Sequence, residues 1–497
     1  MLFVSKEDDF VLSWEKSFDR LTGRLAMKVT DLELSAHEMH GMGERALKAV
    51  IDHIAALPQA SCNDLDLFPK LSGFLGEPPP DKGMAFEPLL DFLMKKAIPA
   101  SITHPHPSFM GYIPAGGLYP SAVADFIAAA TNRYVGVSFA APALARLERT
   151  VLEWFAKWME YPDSARGILT SGGSMANFSA VVTARKHLLG EDLRKGIIYM
   201  SDQTHHCVTK VADMAGIPRE NIRRIGVDEN FRAVPDYFDD AIKKDIKKGL
   251  KPFLLVGNAG TTNTGAVDPL VELGDVAARY GLWYHLDAAY GGFFNLCEDG
   301  KRVLEGIPCS DSVVLDPHKG LFIPYGTGSL LVKDGDLLRR AHVMGADYIQ
   351  DNPVSEDEWD AADYSPELSR SFRGLRVWLP LQLFGVQAFR ENLAEKLRLT
   401  QWIHRRLSEE PGFECLSSPQ LSAFAFRYRP SAGDVDAFNR ELLKAIVSSK
   451  KLYLSSTLLN GEFVLRVCIL GFRTHRPDVE RAFELIKTIA HHLESRS

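Results

Sequence analysis

The sequence predicts an α/β protein whose main sheet is mostly parallel and covered by helices on both faces. From about Tyr119 to Trp378, short apolar runs alternate with helix-periodic segments, which is the pattern of such a sheet. The chain has 497 residues, of which 46% are hydrophobic, so it can bury a large core and should form more than one domain. Residues 119–378 are therefore the predicted large domain.

Residues 1–118 precede this domain and are predicted to consist of helices and connectors. A helix pattern covers Ala46–Ile54, and a segment rich in proline and glycine follows around Gly76–Pro80. A helical arm of this kind cannot bury both of its faces alone. It could pack on its own large domain or on a partner.

Residues 379–497 form the predicted last segment, a small α+β domain. A long helical stretch continues to Arg406, and strand-like runs follow at Ala423–Arg427 and Glu462–Val467. A closing helix is predicted near Asp478–Leu493. The sequence contains no internal repeat and no low-complexity segment.

Composition argues against several classes of partner. The net charge of −7 gives no reason to expect nucleic acid or an anionic membrane. No apolar stretch is long enough to span a bilayer, and Met1–Val4 is followed at once by charged residues rather than by the apolar core of a signal peptide. The six cysteines have neither metal-ligand nor disulfide spacing, so we expect a cytoplasmic protein without a metal site.

The most informative motif is Asp316-Pro317-His318-Lys319, directly after the predicted buried strand Ser312–Leu315. Burial at this point would destabilise the ammonium of Lys319 and make its amine nucleophilic toward a carbonyl. That is the requirement for a Schiff base with pyridoxal phosphate. The alternative is a solvated surface lysine, which is the commoner role of a lysine beside a histidine.

A carboxylate, Asp287, ends another predicted strand, Leu282–Leu286. Ligands of open α/β sheets bind at the carboxyl ends of the strands. Asp287 could pair there with the protonated pyridine nitrogen of the cofactor, and small residues such as Ala289 would let a flat ring lie close to the backbone. The alternative role of Asp287 is a helix N-cap.

Polar turns follow three further predicted strands. Gly173 and Ser174 open a helix-periodic run and could hold a phosphate at the helix N-terminus, although an ordinary strand-to-helix turn would look the same. His205 follows the strand Ile197–Met200 and could stack on a cofactor ring, although a lone histidine is more often structural. Asn258 begins the third turn.

Together these motifs resemble the group II pyridoxal-phosphate decarboxylases, the family of the aromatic-L-amino-acid, glutamate and diaminobutyrate decarboxylases. The similarity extends from about His104 to the C-terminus and is carried by Lys319, Asp287 and the string Asp202–His205 in this order. The resemblance implies an aspartate aminotransferase-like fold and pyridoxal 5′-phosphate as cofactor. It also implies a homodimer with the active site at the subunit interface, in which the N-terminal segment wraps the partner.

The resemblance further implies roles for individual residues. Lys319 would hold the cofactor covalently, Asp287 would keep its pyridine nitrogen protonated, and His205 would stack on its ring. Tyr348, in a polar segment at the family's offset from Lys319, would donate the proton that replaces carbon dioxide. The other predicted cofactor-binding residues are Ala289, Gly173, Ser174, Asn258, Asp316 and His318.

Several positions depart from the aromatic-specific members of this family. Asp316 stands where asparagine is common, Asn258 where threonine is common, and Ala115 where a hydroxyl residue is usual. Val135 and Val137 are aliphatic where a phenylalanine would grip an aromatic ring. The candidate substrate-pocket residues are Tyr112, Ala115, Arg133, Val135 and Val137.

An aromatic L-amino acid is the expected substrate, because the resemblance around Tyr348 and His205 is closest to the aromatic-specific members. One alternative is an acidic or diamino acid such as glutamate, aspartate or 2,4-diaminobutyrate. Arg133 could anchor a side-chain carboxylate, or it could form a structural salt bridge. A second alternative is oxygen-dependent aldehyde formation, but lineages of that kind often change Tyr348 or His205, and both are present. A non-catalytic protein of the same fold would not need Lys319, Asp287 and His205 together.

Overall fold

The computed structural model describes residues 32–71, 75–114, 116–190, 192–343 and 359–496. Two predicted site residues, Ala115 and Tyr348, lie outside these ranges. The described residues divide into two compact units: residues up to Ala56 together with Gly76–Ile98, and Leu57–Leu75 together with the chain from Pro99 onward. A helix with the length and apolar character needed to cross a membrane does not occur in these ranges.

The elements are numbered in chain order. The α-helices are α1 (Ala36–Ala56), α2 (Phe86–Phe92), α3 (Tyr119–Thr131), α4 (Pro142–Trp158), α5 (Gly173–Leu188), α6 (His206–Met214), α7 (Pro235–Lys247), α8 (Leu270–Tyr280), α9 (Glu298–Val303), α10 (Pro317–Gly320), α11 (Gly335–His342), α12 (Gly374–Glu409), α13 (Val435–Ser448) and α14 (Arg476–Glu494). The β-strands are β1 (Arg166–Thr170), β2 (Gly196–Ser201), β3 (Ile222–Ile225), β4 (Lys251–Asn258), β5 (Trp283–Asp287), β6 (Ser312–Leu315), β7 (Gly328–Val332), β8 (Phe413–Cys415), β9 (Ala423–Tyr428), β10 (Ser455–Leu459) and β11 (Glu462–Cys468).

The larger sheet confirms the predicted mostly parallel α/β architecture. Its seven strands have the order β1-β7-β6-β5-β4-β2-β3. The pairs β6–β5, β5–β4, β4–β2 and β2–β3 are parallel, whereas β7 is antiparallel to both of its neighbours. Every residue of β2, β5, β6 and β7 is buried, as expected when helices cover both faces of a sheet.

The smaller sheet belongs to the predicted C-terminal α+β region. Its order is β10-β11-β9-β8, and every pair is antiparallel. Side chains of these strands, such as Phe426 and Leu465, share an apolar core with Leu442 of α13 and Phe483 of α14. The predicted strands and the closing helix are therefore confirmed as β9, β11 and α14.

The long helix α12 confirms the predicted helical stretch but is interrupted at Gly385. That residue has φ 69° and ψ 157°, a backbone conformation that glycine adopts without the steric cost of a Cβ atom. The two residues near this break, Leu383 and Phe384, have exposed apolar side chains. The helix therefore consists of two segments joined at a glycine.

Helix α1 covers the predicted N-terminal helix and extends beyond it in both directions. It buries none of its residues. Met39, Leu47 and Ile51 are among the large apolar side chains that remain exposed along it. Burial of an apolar face is the main source of helix stability in proteins, so the arm of a single chain leaves much of that stabilisation unused.

Candidate active site

The carboxyl ends of β2, β4, β5 and β6 open on one cavity of about 330 Å³, where the N-terminus of α5 also lies. Parallel strands bring their carboxyl ends to the same edge of a sheet, which is why turns that are far apart in sequence meet here. The predicted residues that line this cavity are Lys319, Asp287, His205, Gly173, Ser174, Ala289, Asn258, Asp316 and His318.

Lys319 lies in α10, the short helix that directly follows β6. Its Nζ atom forms an ion pair of 2.8 Å with Oδ2 of Asp316. Burial lowers the pKa of Lys319, but the charge and the hydrogen bond of Asp316 raise that pKa more, so the net pKa lies above its ordinary value. The prediction of a destabilised ammonium is wrong, because an anion three residues upstream stabilises the charged form.

Asp287 is the last residue of β5, and its carboxylate accepts two hydrogen bonds from described residues. Its Oδ2 accepts from Nδ2 of Asn177 at 3.4 Å, and its Oδ1 accepts from the backbone N–H of Ala289 at 3.2 Å. The helix that follows, a 3-10 helix at Gly292–Leu296, has Gly291 at its N-cap. The helix-cap alternative for Asp287 is therefore wrong.

A directional chain of hydrogen bonds leads from the core to Asp287. Trp283 Nε1 donates to Ser312 Oγ at 2.7 Å, and Ser312 Oγ lies 2.7 Å from His285 Nδ1. His285 Nε2 lies 2.9 Å from Asn177 Oδ1. The neutral imidazole carries its proton on Nε2, because the acceptor Oδ1 of Asn177 faces that nitrogen. Ser312 therefore donates to Nδ1. Burial lowers the pKa of His285 to about 3, which keeps the ring neutral.

Two acceptors fix the orientation of the Asn177 amide. Its Nδ2 donates to the carbonyl of Gly173 at 2.9 Å and to Asp287 Oδ2 at 3.4 Å, so Oδ1 is the atom that faces His285. Asn177 and His285 were not predicted as site residues. A single buried asparagine in a helix and a single histidine in a strand carry no periodic or spacing signal, so only the packing of α5 on β5 identifies them.

His205 is the N-cap of α6. Its Nδ1 accepts a hydrogen bond from the backbone N–H of Cys207 at 3.3 Å. Burial lowers the pKa of His205 below its ordinary value, although the charge of Asp287 opposes the shift. The ring is therefore neutral, with its proton on Nε2.

The N-terminus of α5 forms a narrow cradle. Its first residue is Gly173, and a Cβ atom there would lie 2.9 Å from Asp316 Oδ2 and 3.3 Å from the Cβ of Ala289. Only glycine therefore lets the backbone come this close to the cavity wall. The first N–H groups of a helix have no acceptor within the helix, so those of Gly173 and Ser174 can bind an anion.

Asn258 lines the cavity, but its amide is bonded to the protein. Nδ2 lies 2.7 Å from Asp268 Oδ2, 3.0 Å from Thr204 Oγ1 and 3.2 Å from Ser201 Oγ. The side chain thus ties the end of β4 to the turn that carries His205. Neither Asp268 nor this tie was predicted.

The turn after β4 has a second support that was not predicted. Arg466 of β11 is buried, and its Nε donates to the carbonyl of Asn263 at 2.8 Å and its Nη1 to Ser455 Oγ at 2.9 Å. A third bond joins its Nη2 to the carbonyl of Thr262, which lines the cavity. The smaller sheet therefore holds one wall of the site.

The candidate substrate-pocket residues that the structure describes, Tyr112, Arg133, Val135 and Val137, do not line this cavity. Val135 and Val137 are buried, Val135 in a separate apolar cluster with Phe372, and Arg133 is exposed. Tyr112 is half-exposed, and its hydroxyl lies 3.3 Å from that of Tyr453. Ala115 and Tyr348 lie outside the described residues, so their positions stay predictions.

A model of the pyridoxal-dependent decarboxylase conserved domain matches residues 80–429. The chain belongs to the pyridoxal-dependent decarboxylase family. It is 36% identical over 93% of its length to 97% of an aromatic-L-amino-acid decarboxylase of Bacillus atrophaeus. It is 31% identical over 85% of its length to 90% of a phenylacetaldehyde synthase of Arabidopsis thaliana.

A crystal structure of Oryza sativa TDC with PLP and tryptamine has a similar fold. The TM-score is 0.87 with 26% identity, over 94% of this chain and 100% of that one. The predicted aspartate aminotransferase-like fold and the family resemblance are thus confirmed, as is pyridoxal phosphate as cofactor. The protein is a pyridoxal-phosphate-dependent amino-acid carboxy-lyase.

The cavity fits this cofactor on its own chemistry. It offers the primary amine of Lys319, the carboxylate of Asp287, which accepts two N–H bonds within the described residues, and a helix N-terminus so crowded that only glycine fits. These groups match an aldehyde, a protonated pyridine nitrogen and a phosphate respectively.

Proposed function

We propose that this enzyme removes the α-carboxylate of an aromatic L-amino acid as carbon dioxide and releases the corresponding amine. The observation that carries the proposal is the joint presence of Lys319, Asp287 and His205 on one cavity. The 36% identity to an aromatic-L-amino-acid decarboxylase over nearly the whole chain supports the aromatic substrate.

Five residues that line the cavity have proposed roles in holding the cofactor. Bound pyridoxal phosphate supplies an aldehyde and a pyridinium ring that accepts electrons. Lys319 binds the cofactor covalently, and Asp287 holds the proton at the pyridine nitrogen. Gly173 and Ser174 bind the phosphate through their N–H groups. Asn177 keeps the carboxylate of Asp287 oriented toward the cavity.

Two further side chains have proposed roles near the substrate, His205 in ring contact and Tyr348 in proton transfer. His205 is neutral and carries its proton on Nε2, so it can lie against a ring without adding a second positive charge to the site. Tyr348 provides the phenolic proton that is delivered to Cα after carbon dioxide leaves. Desolvation of the departing carboxylate by the closed pocket favours its loss as a neutral molecule.

We infer that the active enzyme is a cytoplasmic homodimer with the active site at the subunit interface. The unburied helix α1 and the exposed apolar side chains Phe126, Phe139, Leu383 and Phe384 support a partner of the same kind. Residues Tyr112, Ala115, Arg133, Val135 and Val137 would then complete a substrate pocket across that interface. Sedimentation velocity measures the mass of the assembly.

The proposed domain boundaries stay at residues 1–118, 119–378 and 379–497. The last strand of the larger sheet is β7 and the first strand of the smaller, antiparallel sheet is β8. The long helix α12 lies between them in the chain, which supports the second boundary. Limited proteolysis followed by mass determination of the fragments tests both boundaries, because cleavage concentrates in exposed connections between domains.

A second candidate function is oxygen-dependent conversion of the amino acid to an aldehyde with ammonia and peroxide. The similarity to a phenylacetaldehyde synthase favours it. The presence of both His205 and Tyr348 favours the amine instead. Peroxide measured during turnover, against amine released, separates the two reactions.

The test of the proposal is incubation of the purified enzyme and pyridoxal phosphate with a pool of amino acids, followed by identification of the one consumed. Loss of an aromatic amino acid with its amine as product is expected, and loss of glutamate, aspartate or diaminobutyrate would contradict the aromatic assignment. Lys319→Ala should abolish both turnover and the cofactor linkage that borohydride fixes. Lys301→Ala is the matched control, because Lys301 also pairs with a carboxylate, Glu160, but away from the cavity.

A further inference from the structure

Asp316 contributes a buried carboxylate to the cavity, and one of its oxygens has no partner. The residue is 2% exposed, and its Oδ2 forms the 2.8 Å ion pair with Lys319. Its Oδ1 accepts no hydrogen bond from any described residue. Buried polar atoms are almost always paired in folded proteins, so an unpaired oxygen beside a ligand cavity indicates a contact with the ligand.

This carboxylate lies at the end of the cavity where α5 begins. Both oxygens are close to the position that a Cβ atom of Gly173 would take, Oδ2 at 2.9 Å and Oδ1 at 3.3 Å. A Cβ atom of Gly328 would likewise lie 2.8 Å from Oδ1. A phosphate bound by the N–H groups of Gly173 and Ser174 would therefore contact the carboxyl group of Asp316.

Among the described residues, Lys319 is the positively charged group that pairs with Asp316. His318 donates from Nδ1 to the carbonyl of Thr327 at 2.6 Å, and its Nε2 lies 3.7 Å from Asp316 Oδ2. Burial lowers the pKa of His318, so this ring is neutral and offers Asp316 no positive charge. The other titratable or charged groups that face this end of the cavity are His205, Cys207, Asp287 and Arg376, the last of which is paired with Asp125.

The ion pair conflicts with the bound cofactor in two ways. A phosphate monoester carries about −1.5 to −2 charges near neutral pH, and a carboxylate against it adds a like charge in a poorly solvated place. The ammonium of Lys319 must also lose a proton before its nitrogen can act as a nucleophile. One proton transfer over the 2.8 Å contact removes both conflicts.

We propose that Asp316 accepts the ammonium proton of Lys319 when the cofactor binds and then donates a hydrogen bond to the cofactor phosphate as a neutral carboxyl group. The transfer turns an ammonium and a carboxylate into an amine and a carboxyl group, so atoms and charge are conserved. The inference rests on the proposed roles of Lys319, Gly173 and Ser174.

The experiment is infrared difference spectroscopy of the full-length protein with and without pyridoxal phosphate, at mildly alkaline pH. Cofactor binding should create the carbonyl stretch of one neutral carboxylic acid, and deuterium oxide should shift this band. The band should be absent in Asp316→Asn. It should persist in Asp245→Asn, the matched control, because Asp245 is also a buried carboxylate paired with a cation, Arg223 at 2.7 Å, outside the cavity lining.

A spectrum without an acid band, or with a band that survives Asp316→Asn, overturns the inference. If Asp316→Asn does not fold, wild-type protein labelled with ¹³C at its aspartate carboxyl groups takes its place, and a band that this label does not shift overturns the inference equally. Borohydride fixation located by peptide mass tests the underlying site separately. Fixation at Lys319 without an acid band contradicts only the role of Asp316, whereas fixation elsewhere contradicts the proposed function.

Discussion

Replacing Asn177 with alanine tests whether the hydrogen-bond chain behind Asp287 serves catalysis. The variant removes the donor that lies 3.4 Å from Asp287 Oδ2 and leaves the Nε2–H group of the buried His285 without an acceptor. A hydrogen bond to a charged group contributes about 1.5–3 kcal/mol, and the long distance places this one at the lower end. We therefore expect kcat/KM to fall by about tenfold, since about 1.4 kcal/mol corresponds to a factor of ten.

The same variant should lose stability through the unpaired imidazole, which costs about 1–3 kcal/mol. Asn439→Ala separates this effect from catalysis. Asn439 is also a completely buried asparagine in a helix, and its side chain bonds the backbone of Tyr428 and Val435, away from the cavity. Thermal unfolding and kcat/KM are measured for both variants. Equal losses of kcat/KM in the two variants would refute the positioning of Asp287 by Asn177.

Three further predictions concern the site and its support. Asp287→Asn should lower kcat by several orders of magnitude, and each tenfold loss corresponds to about 1.4 kcal/mol in activation free energy. Dialysed variant should still bind added cofactor. Near-normal turnover would contradict the role of Asp287 at the pyridine nitrogen. Tyr348→Phe should still release carbon dioxide but give aldehyde, ammonia and peroxide in place of much of the amine, and an unchanged amine yield would point to another donor such as His205. Arg370 and Glu148 form a buried ion pair of 2.5 Å. Arg370→Met should lower the free energy of unfolding, measured with denaturant, by about 3–5 kcal/mol, because Glu148 then stays buried without a counter-charge. A decrease below about 1 kcal/mol would contradict this reasoning.

Much of the site could be predicted because its signals are local. Each of Lys319, Asp287 and His205 follows a short apolar run, and parallel strands place all such turns at one edge of the sheet. The strand periodicity that predicts the sheet therefore also predicts that these three residues meet. The small antiparallel sheet and the closing helix follow from the same kind of local pattern.

Other features depend on contacts that no local pattern encodes. The sequence alone suggested a destabilised ammonium at Lys319, whereas the tertiary structure turns Asp316 toward it and raises its pKa. The candidates Arg133, Val135 and Val137 stand apart from the cavity, because the path of the segment after α3 is set by packing rather than by spacing.

The sequence by itself determined the family, the fold class and the chemical groups of the site, since these depend on residue type and on the alternation of strands and helices. Only the tertiary structure decided the protonation and orientation of those groups. The direction of the chain from Trp283 to Asn177 and the unpaired oxygen of Asp316 arise where distant segments pack together. Hydrogen bonds and charges act over a few ångströms in space, irrespective of separation along the chain.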